Sequence, residues 1–189
     1  MKRREFLRML PLATVAPIAF QACNTSVEPT TNAQTAGDIA LLNAAAAAEA
    51  QAIKTYDAAA ASGLVTTPAV IATVQLYRAH HLGHFNELNR LLRRFSQAEV
   101  SLERAQPAPQ VSRVTNEAEA VRLAMELEYE AAAAYFQWTS GAEEVATPEV
   151  RRFFADTFPI EFAHYIELRA ALGLTPPISS ATFSTMPRP

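Results

Sequence analysis

Apolar positions recur every three or four residues along four long stretches of this chain. Leu42, Ala45, Glu49, Ala52, Tyr56 and Ala59 share one face; Val70, Val74, Tyr77, His81, His84, Leu88, Leu91 and Phe95 share the next. A third face carries Val121, Ala124, Glu128, Ala131, Tyr135 and Trp138, and a fourth Val150, Phe154, Thr157, Glu161, His164, Leu168 and Ala171. Stripes with this period predict four helices, each turning one side to a common core. The predicted spans are about Asp38–Ser62, Pro68–Phe95, Asn116–Ser140 and Pro148 to near Gly173. Asp38 reads as the first N-cap and Gly63 as the first stop, while Thr67-Pro68 and Thr147-Pro148 are N-cap and first-turn pairs. Convincing strand-like alternation is absent, so the fold class is all-α.

The stripes are interrupted near their middles by Glu and His, and the interruptions repeat. Glu49 and Tyr56 recur as Glu128 and Tyr135 at a shift of 79, and His81 and His84 recur as Glu161 and His164 at a shift of 80. Thr67, Pro68 and Val70 recur as Thr147, Pro148 and Val150 at that second shift. Short turns after residues 62 and 140 make two antiparallel hairpins. A link of roughly twenty residues through Gln106-Pro107-Ala108-Pro109 permits one long crossover between them, as in one class of four-helix bundle. Counting from the turns at 1.5 Å per residue puts Glu49, His81, Glu128 and Glu161 all roughly 20 Å deep. The six residues Glu49, His81, His84, Glu128, Glu161 and His164 should meet in one layer.

Three converging buried carboxylates require protons, cationic partners or metal, because an unpaired buried charge costs several kcal/mol. No Lys or Arg lies on the stripes. Three carboxylates with three imidazoles suit first-row divalent ions, iron and manganese foremost and zinc as a third option. Tyr56 and Tyr135 each lie two turns from a glutamate and are placed to hydrogen-bond groups behind the ligands. Taken singly, both tyrosines also fit plain core packing. His80 is one position off its stripe and reads as structural or solvent-facing. Glu87 and Glu167 form a symmetric pair read as exposed, and Glu126 and Glu130 fall on solvated faces. Pro159, two residues before Glu161, either bends the fourth helix and helps aim that carboxylate, or is a tolerated kink that merely curves the helix around the core.

The 189-residue chain can bury one core of useful size, and its single cysteine excludes an internal disulfide framework. Residues 1–23 read as an export signal: Lys2-Arg3-Arg4-Glu5-Phe6-Leu7-Arg8 is a charged segment and Met9–Ala22 an apolar stretch too short to span a membrane comfortably. Arg3-Arg4-x-Phe6-Leu7 resembles the twin-arginine signal of proteins exported already folded. Cys23 sits where a lipoprotein would carry its anchor, although Phe20-Gln21-Ala22 departs from the usual residues before it; loss of Cys23 on cleavage is the alternative. Removing residues 1–23, with four Lys or Arg and one Glu, takes the formal charge from −3 to −6. An acidic domain without a basic patch is a poor nucleic-acid binder. Residues 24–37 read as a flexible tether, 38–172 as the bundle and 173–189 as an extended tail.

Residues 38–172 resemble the ferritin-like superfamily of di-iron and di-manganese carboxylate bundles. Glu161-Phe162-Ala163-His164 matches its Glu-x-x-His motif, and Glu49 and Glu128 match its single glutamates. His81-Leu82-Gly83-His84 departs, with His where the bridging Glu is expected, and so leaves a mononuclear or asymmetric site open beside a dinuclear one. Together with the export signal, which implies the periplasm or cell envelope, the resemblance implies an exported protein that binds one or two metal ions, with oxidoreductase activity toward iron(II), peroxide or oxygen. The alternative is a non-catalytic metal-storage or stress-protective module with a decayed site, since some ferritin-like relatives are linked to desiccation. A metal-free partner-binding bundle gives no reason for six polar groups to share a core layer. The expected partners are metal ions, with membrane contact only through Cys23; assembly into homo-oligomers is left open.

Overall fold

The computed structural model describes residues 32–140 and 145–174. The signal segment with Cys23, the tether up to residue 31 and the tail from residue 175 lie outside the described residues. Among the described residues, four α-helices make the domain: α1 (Asn32–Ala61), α2 (Pro68–Arg94), α3 (Glu117–Thr139) and α4 (Pro148–Ala171). Between α2 and α3 run two short 3-10 turns, Leu102–Arg104 and Pro109–Arg113. No strand occurs among the described residues, and none of the described helices is long and apolar enough to cross a membrane.

One boundary differs from expectation. α1 starts at Asn32, so residues 32–37 belong to the helix and not to the tether. Their sequence, Asn-Ala-Gln-Thr-Ala-Gly, carries no apolar period, so a stripe cannot reveal it. Asp38 therefore lies inside α1 and caps a different helix: its carboxylate accepts the backbone N–H of Ala146 at 3.0 Å and of Thr147 at 2.7 Å, just ahead of α4. Glu117, in the equivalent place on α3, accepts Thr66 N–H at 2.6 Å and Thr67 N–H at 2.8 Å, just ahead of α2. Each hairpin thus holds the turn of the other. Thr67 and Thr147 make no side-chain cap bond to their own helices. On α3 the cap is Asn116, whose side chain accepts Glu119 N–H at 3.0 Å.

The crossover is tied down where it passes the helices. Asn89 brackets Val100, donating to its carbonyl at 3.1 Å and accepting its N–H at 2.9 Å. Ala108 N–H donates to Thr55 Oγ1 at 2.9 Å. Pro159 neither breaks nor bulges α4, which stays α-helical from Pro148 to Ala171. The carbonyl it leaves without a donor is that of Ala155, and both residues are exposed, so water can serve it.

Among the described residues, two larger apolar clusters fill the bundle, and a third of Ala50, Ile53 and Phe85 packs under the crossover. Of the larger two, one holds Leu42, Ala46, Leu88, Leu92, Val150 and Phe154, and the other Tyr77, Val121, Met125, Tyr165 and Leu168. Fully burying a leucine such as Leu42, Leu88 or Leu92 contributes about 1.5–3 kcal/mol, which is where the stability of this fold resides. Along every helix the six candidate Glu and His positions fall between the two larger clusters. The polar layer is consequently sealed by packed apolar side chains above and below. Ala171, at the end of its stripe, is exposed and outside this core.

Candidate metal centre

All six candidate ligands are buried, Glu161 completely and His84, the least, at 9% exposure. Their donor atoms form two overlapping groups, Glu49–His81–His84–Glu161 and His81–Glu128–Glu161–His164, each with its atoms within 4.8 Å of one another. His81 and Glu161 belong to both, the pair of positions related by the internal repeat. The His81 ring spans the layer: Nδ1 lies 2.7 Å from Glu49 Oε2 and Nε2 3.1 Å from Glu128 Oε1. His164 Nδ1 lies 3.0 Å from Glu128 Oε2 and 3.4 Å from Glu161 Oε2.

The tyrosines hold the carboxylates across the hairpins. Tyr56 donates a very short hydrogen bond to Glu128, and Tyr135 donates to Glu49 Oε1 at 2.5 Å. Tyr56 also stacks on His81 with centroids 5.4 Å apart. Burial, then the charge of the bonded glutamate, pushes both hydroxyls well above the ordinary tyrosine range. They remain donors at any working pH, and fix one oxygen of each glutamate.

Charge in the layer balances internally when no metal is bound. Burial drives Glu49 upward, but His81 and His84 outweigh it and hold its carboxyl at about 2. Glu128 is also held well below the ordinary carboxylate range, with burial opposed by His81 and His164. Burial wins at Glu161, whose carboxyl is raised. His84 is raised to about 9 because the Glu161 and Glu49 carboxylates close to it overcome its burial, and His81 and His164 move the same way. Among the described residues, none of the six is paired with Lys or Arg.

This balance leaves buried polar atoms over. Both oxygens of Glu161 and Nδ1 of His84 have no hydrogen-bond partner, although His84 Nδ1 is only 2.8 Å from Glu161 Oε1 and so is badly aligned with it. Leaving a buried donor or acceptor unpaired costs about 1–3 kcal/mol. The unpaired atoms point into the layer and belong to the two most typical ligand types for iron or manganese. The residues present fit a transition-metal ion.

Several neighbours differ from the sequence reading. His80 is half-buried and its Nδ1 lies 2.8 Å from Nε2 of His164. Periodicity places it one position off the stripe, and only the packing of α2 on α4 brings it there. Tyr77 stacks on His164 at 3.8 Å and donates to Glu167 Oε2 at 2.5 Å. Glu167 is exposed as expected, whereas Glu87 is half-buried and paired with Arg90 at 2.7 Å. Glu126 and Glu130 are exposed. A cleft of about 160 Å³ between α1 and α3, flanked by Ala48, Ala134 and Glu130, reaches Glu49 and Tyr135. A more apolar cavity of about 110 Å³ ends against Tyr56.

Two crossed-over helical hairpins enclosing a carboxylate–imidazole layer define a bundle of the ferritin-like class. Residues 37–183 match the ferritin-like domain family, and the chain belongs to that family. Among solved structures, the chain is similar to the crystal structure of a conserved hypothetical protein, rv2844, from Mycobacterium tuberculosis. The TM-score is 0.62 at 22% identity, covering 78% of this chain and 98% of that one. The likeness is one of fold. No protein of curated function matches the chain.

Proposed function

We propose that this protein is exported and holds one or two transition-metal ions in the core layer, with Glu49, Glu128 and Glu161 supplying charge and His81, His84 and His164 supplying nitrogen. The observation that carries the reading is the sealed layer of three carboxylates and three imidazoles, in which Glu161 and His84 keep unpaired atoms. When bound, iron or manganese supplies one-electron chemistry toward iron(II), peroxide or oxygen, the substrates the family resemblance implies. Tyr56 and Tyr135 hold the Glu128 and Glu49 carboxylates in place, and the two larger apolar clusters close the layer above and below. The cleft between α1 and α3 is the side from which solvent reaches Glu49.

The test is elemental analysis after loading with iron(II), manganese(II) and zinc(II). The native protein is expected to retain at least one ion per chain, and Glu128→Ala and Glu161→Ala to lose most of it while remaining helical. A native protein that retains no ion overturns the reading. A second reading, a protective or storage module whose site has decayed, is favoured by one observation: His81 satisfies Glu49 and Glu128 at once with no metal. The same analysis separates the two.

Export rests on Arg3-Arg4-x-Phe6-Leu7 ahead of a domain able to take up its metal while still in the cytoplasm. Cys23 is the residue proposed to carry a lipid anchor. Replacing both arginines with lysine is expected to strand the protein inside the cell, and unchanged export argues for the general secretory route.

A further inference from the structure

The two histidine arms of the layer are related by the internal repeat, yet only one is backed by a second imidazole. His164 Nδ1 faces the layer at Glu128 and Glu161, and its Nε2 meets His80 Nδ1 at 2.8 Å. The two imidazoles are nearly coplanar, at 13°, with centroids 5.1 Å apart, so they meet edge to edge as a hydrogen bond in the ring plane requires. Tyr77 covers the face of His164 at 3.8 Å and is itself held by Glu167. On the opposite arm, Phe153 meets His84 edge-on at 6.3 Å, and no described residue hydrogen-bonds Nε2. The repeat equivalents of His80 and Tyr77 are Ile160 and Thr157, which offer neither an imidazole nor a ring.

We infer that His80 is a positioning residue for His164: it accepts the Nε2 proton, so that the Nδ1 lone pair is turned into the layer, and it makes the Glu128–Glu161–His164 half the tighter metal site. This rests on the metal reading above. A hydrogen bond to the outer nitrogen fixes both the tautomer and the orientation of a ligating imidazole, and losing such a partner typically costs about 10–100-fold in metal affinity. Tyr77 adds a second restraint by preventing rotation of the ring. His84 lacks both restraints, so its half takes a divalent ion more weakly.

The experiment is titration of the metal-free full chain with cobalt(II), followed by visible absorption and equilibrium dialysis. His80→Ala is expected to weaken the tightest class of sites by about 10–100-fold. Ile160→Ala, at the equivalent position of the other arm, should leave it unmoved. His80→Gln, which keeps a carbonyl acceptor, should retain most of the affinity, and free imidazole should restore part of it to His80→Ala. A merely structural role for His80 predicts no such rescue. Unchanged cobalt affinity in His80→Ala, or a loss that neither glutamine nor imidazole recovers, overturns the inference and leaves the metal reading standing. Failure of the native protein to bind cobalt(II) overturns both.

Discussion

Asp38 and Thr147 lie 109 residues apart in the chain and are joined by a hydrogen bond of 2.7 Å from the Thr147 backbone to the Asp38 carboxylate. The same carboxylate takes the N–H of Ala146, and Asp38 is completely buried. Glu117 repeats the arrangement on the turn before α2. These clamps set the depth at which α2 and α4 begin, and therefore the level at which their ligands meet α1 and α3. A shift of one residue at either start rotates a helix by about 100° and takes its His out of the layer.

Asp38→Ala leaves two backbone donors without their charged acceptor. The expected loss is about 2–3 kcal/mol, a fall in melting temperature of roughly 5–10 °C. Asp38→Asn, which keeps one acceptor oxygen, should lose less, and Glu117→Ala should cost less because its site is open to solvent. Thermal melts of the three variants check the order. A melting temperature unchanged in Asp38→Ala would show that the clamp follows from the packing and does not set it.

Much of this architecture was legible because its causes are local or periodic. Thr-Pro starts, the stripes and the repeat of Glu49 as Glu128 are visible within windows of a few turns, and they locate four helices and six polar core positions. The clamp was not legible. Asp38 has the composition of an N-cap and sits ahead of a long stripe, and nothing near it in sequence reveals that its partners lie before α4. His80 was missed for a related reason: periodicity gives a direction about one helix axis, whereas the contact with His164 depends on the crossing of two helices. Pro159 left two readings open, because a local rule says that a donor is lost and does not say whether the orphaned carbonyl faces water, as that of exposed Ala155 does.

The metal-free protein should be most stable between roughly pH 4.5 and 6.5. His84 is raised to about 9, so its contribution is complete below the unfolded value of 6.5 and is lost as pH climbs through 9. Glu49 is held at about 2, so its contribution is complete above 4.5 and is lost as pH falls through 2. Urea midpoints of the chelated protein at roughly pH 3, 5.5 and 9 test this, with the middle value expected highest. Bound metal replaces the imidazole protons, so the loaded protein should not weaken on the alkaline side. A flat profile for the metal-free protein would mean that the layer carries no paired charge.

Ser96 offers a gain in stability. It follows α2 with φ of 56°, in the left-handed region, while Gln97 N–H closes back on Leu92 at 3.0 Å. Gly63 and Gly173 hold the matching conformation after α1 and α4, with φ of 71° and 66°. A side chain there is strained where glycine is not, so Ser96→Gly should stabilise the protein by about 0.5–1 kcal/mol. Chemical denaturation of the exposed variant reads this directly, and a loss in stability would mean the serine is held by more than its backbone.

Pro159 supplies the last test, because two accounts of it diverge. A proline that aims Glu161 is required for metal binding; one that is merely tolerated is a cost to the helix. The structure favours the second account. α4 is unbroken through the position, Ala155 and Pro159 both face solvent, and Thr157 Oγ1 bonds the carbonyl of Phe153 at 2.9 Å within the same turn. Glu161 lies at the level of Glu49 and Glu128, as its counterpart His81 does without a proline. Pro159→Ala restores one backbone donor opposite Ala155. Since an interior proline costs up to about 3 kcal/mol and exposure lessens that figure, a rise of about 1–2 kcal/mol is expected. Metal stoichiometry and cobalt(II) affinity should be unchanged. A variant that gains stability but binds metal tenfold more weakly would return Pro159 to the site, as a residue that trades helix stability for the direction of Glu161.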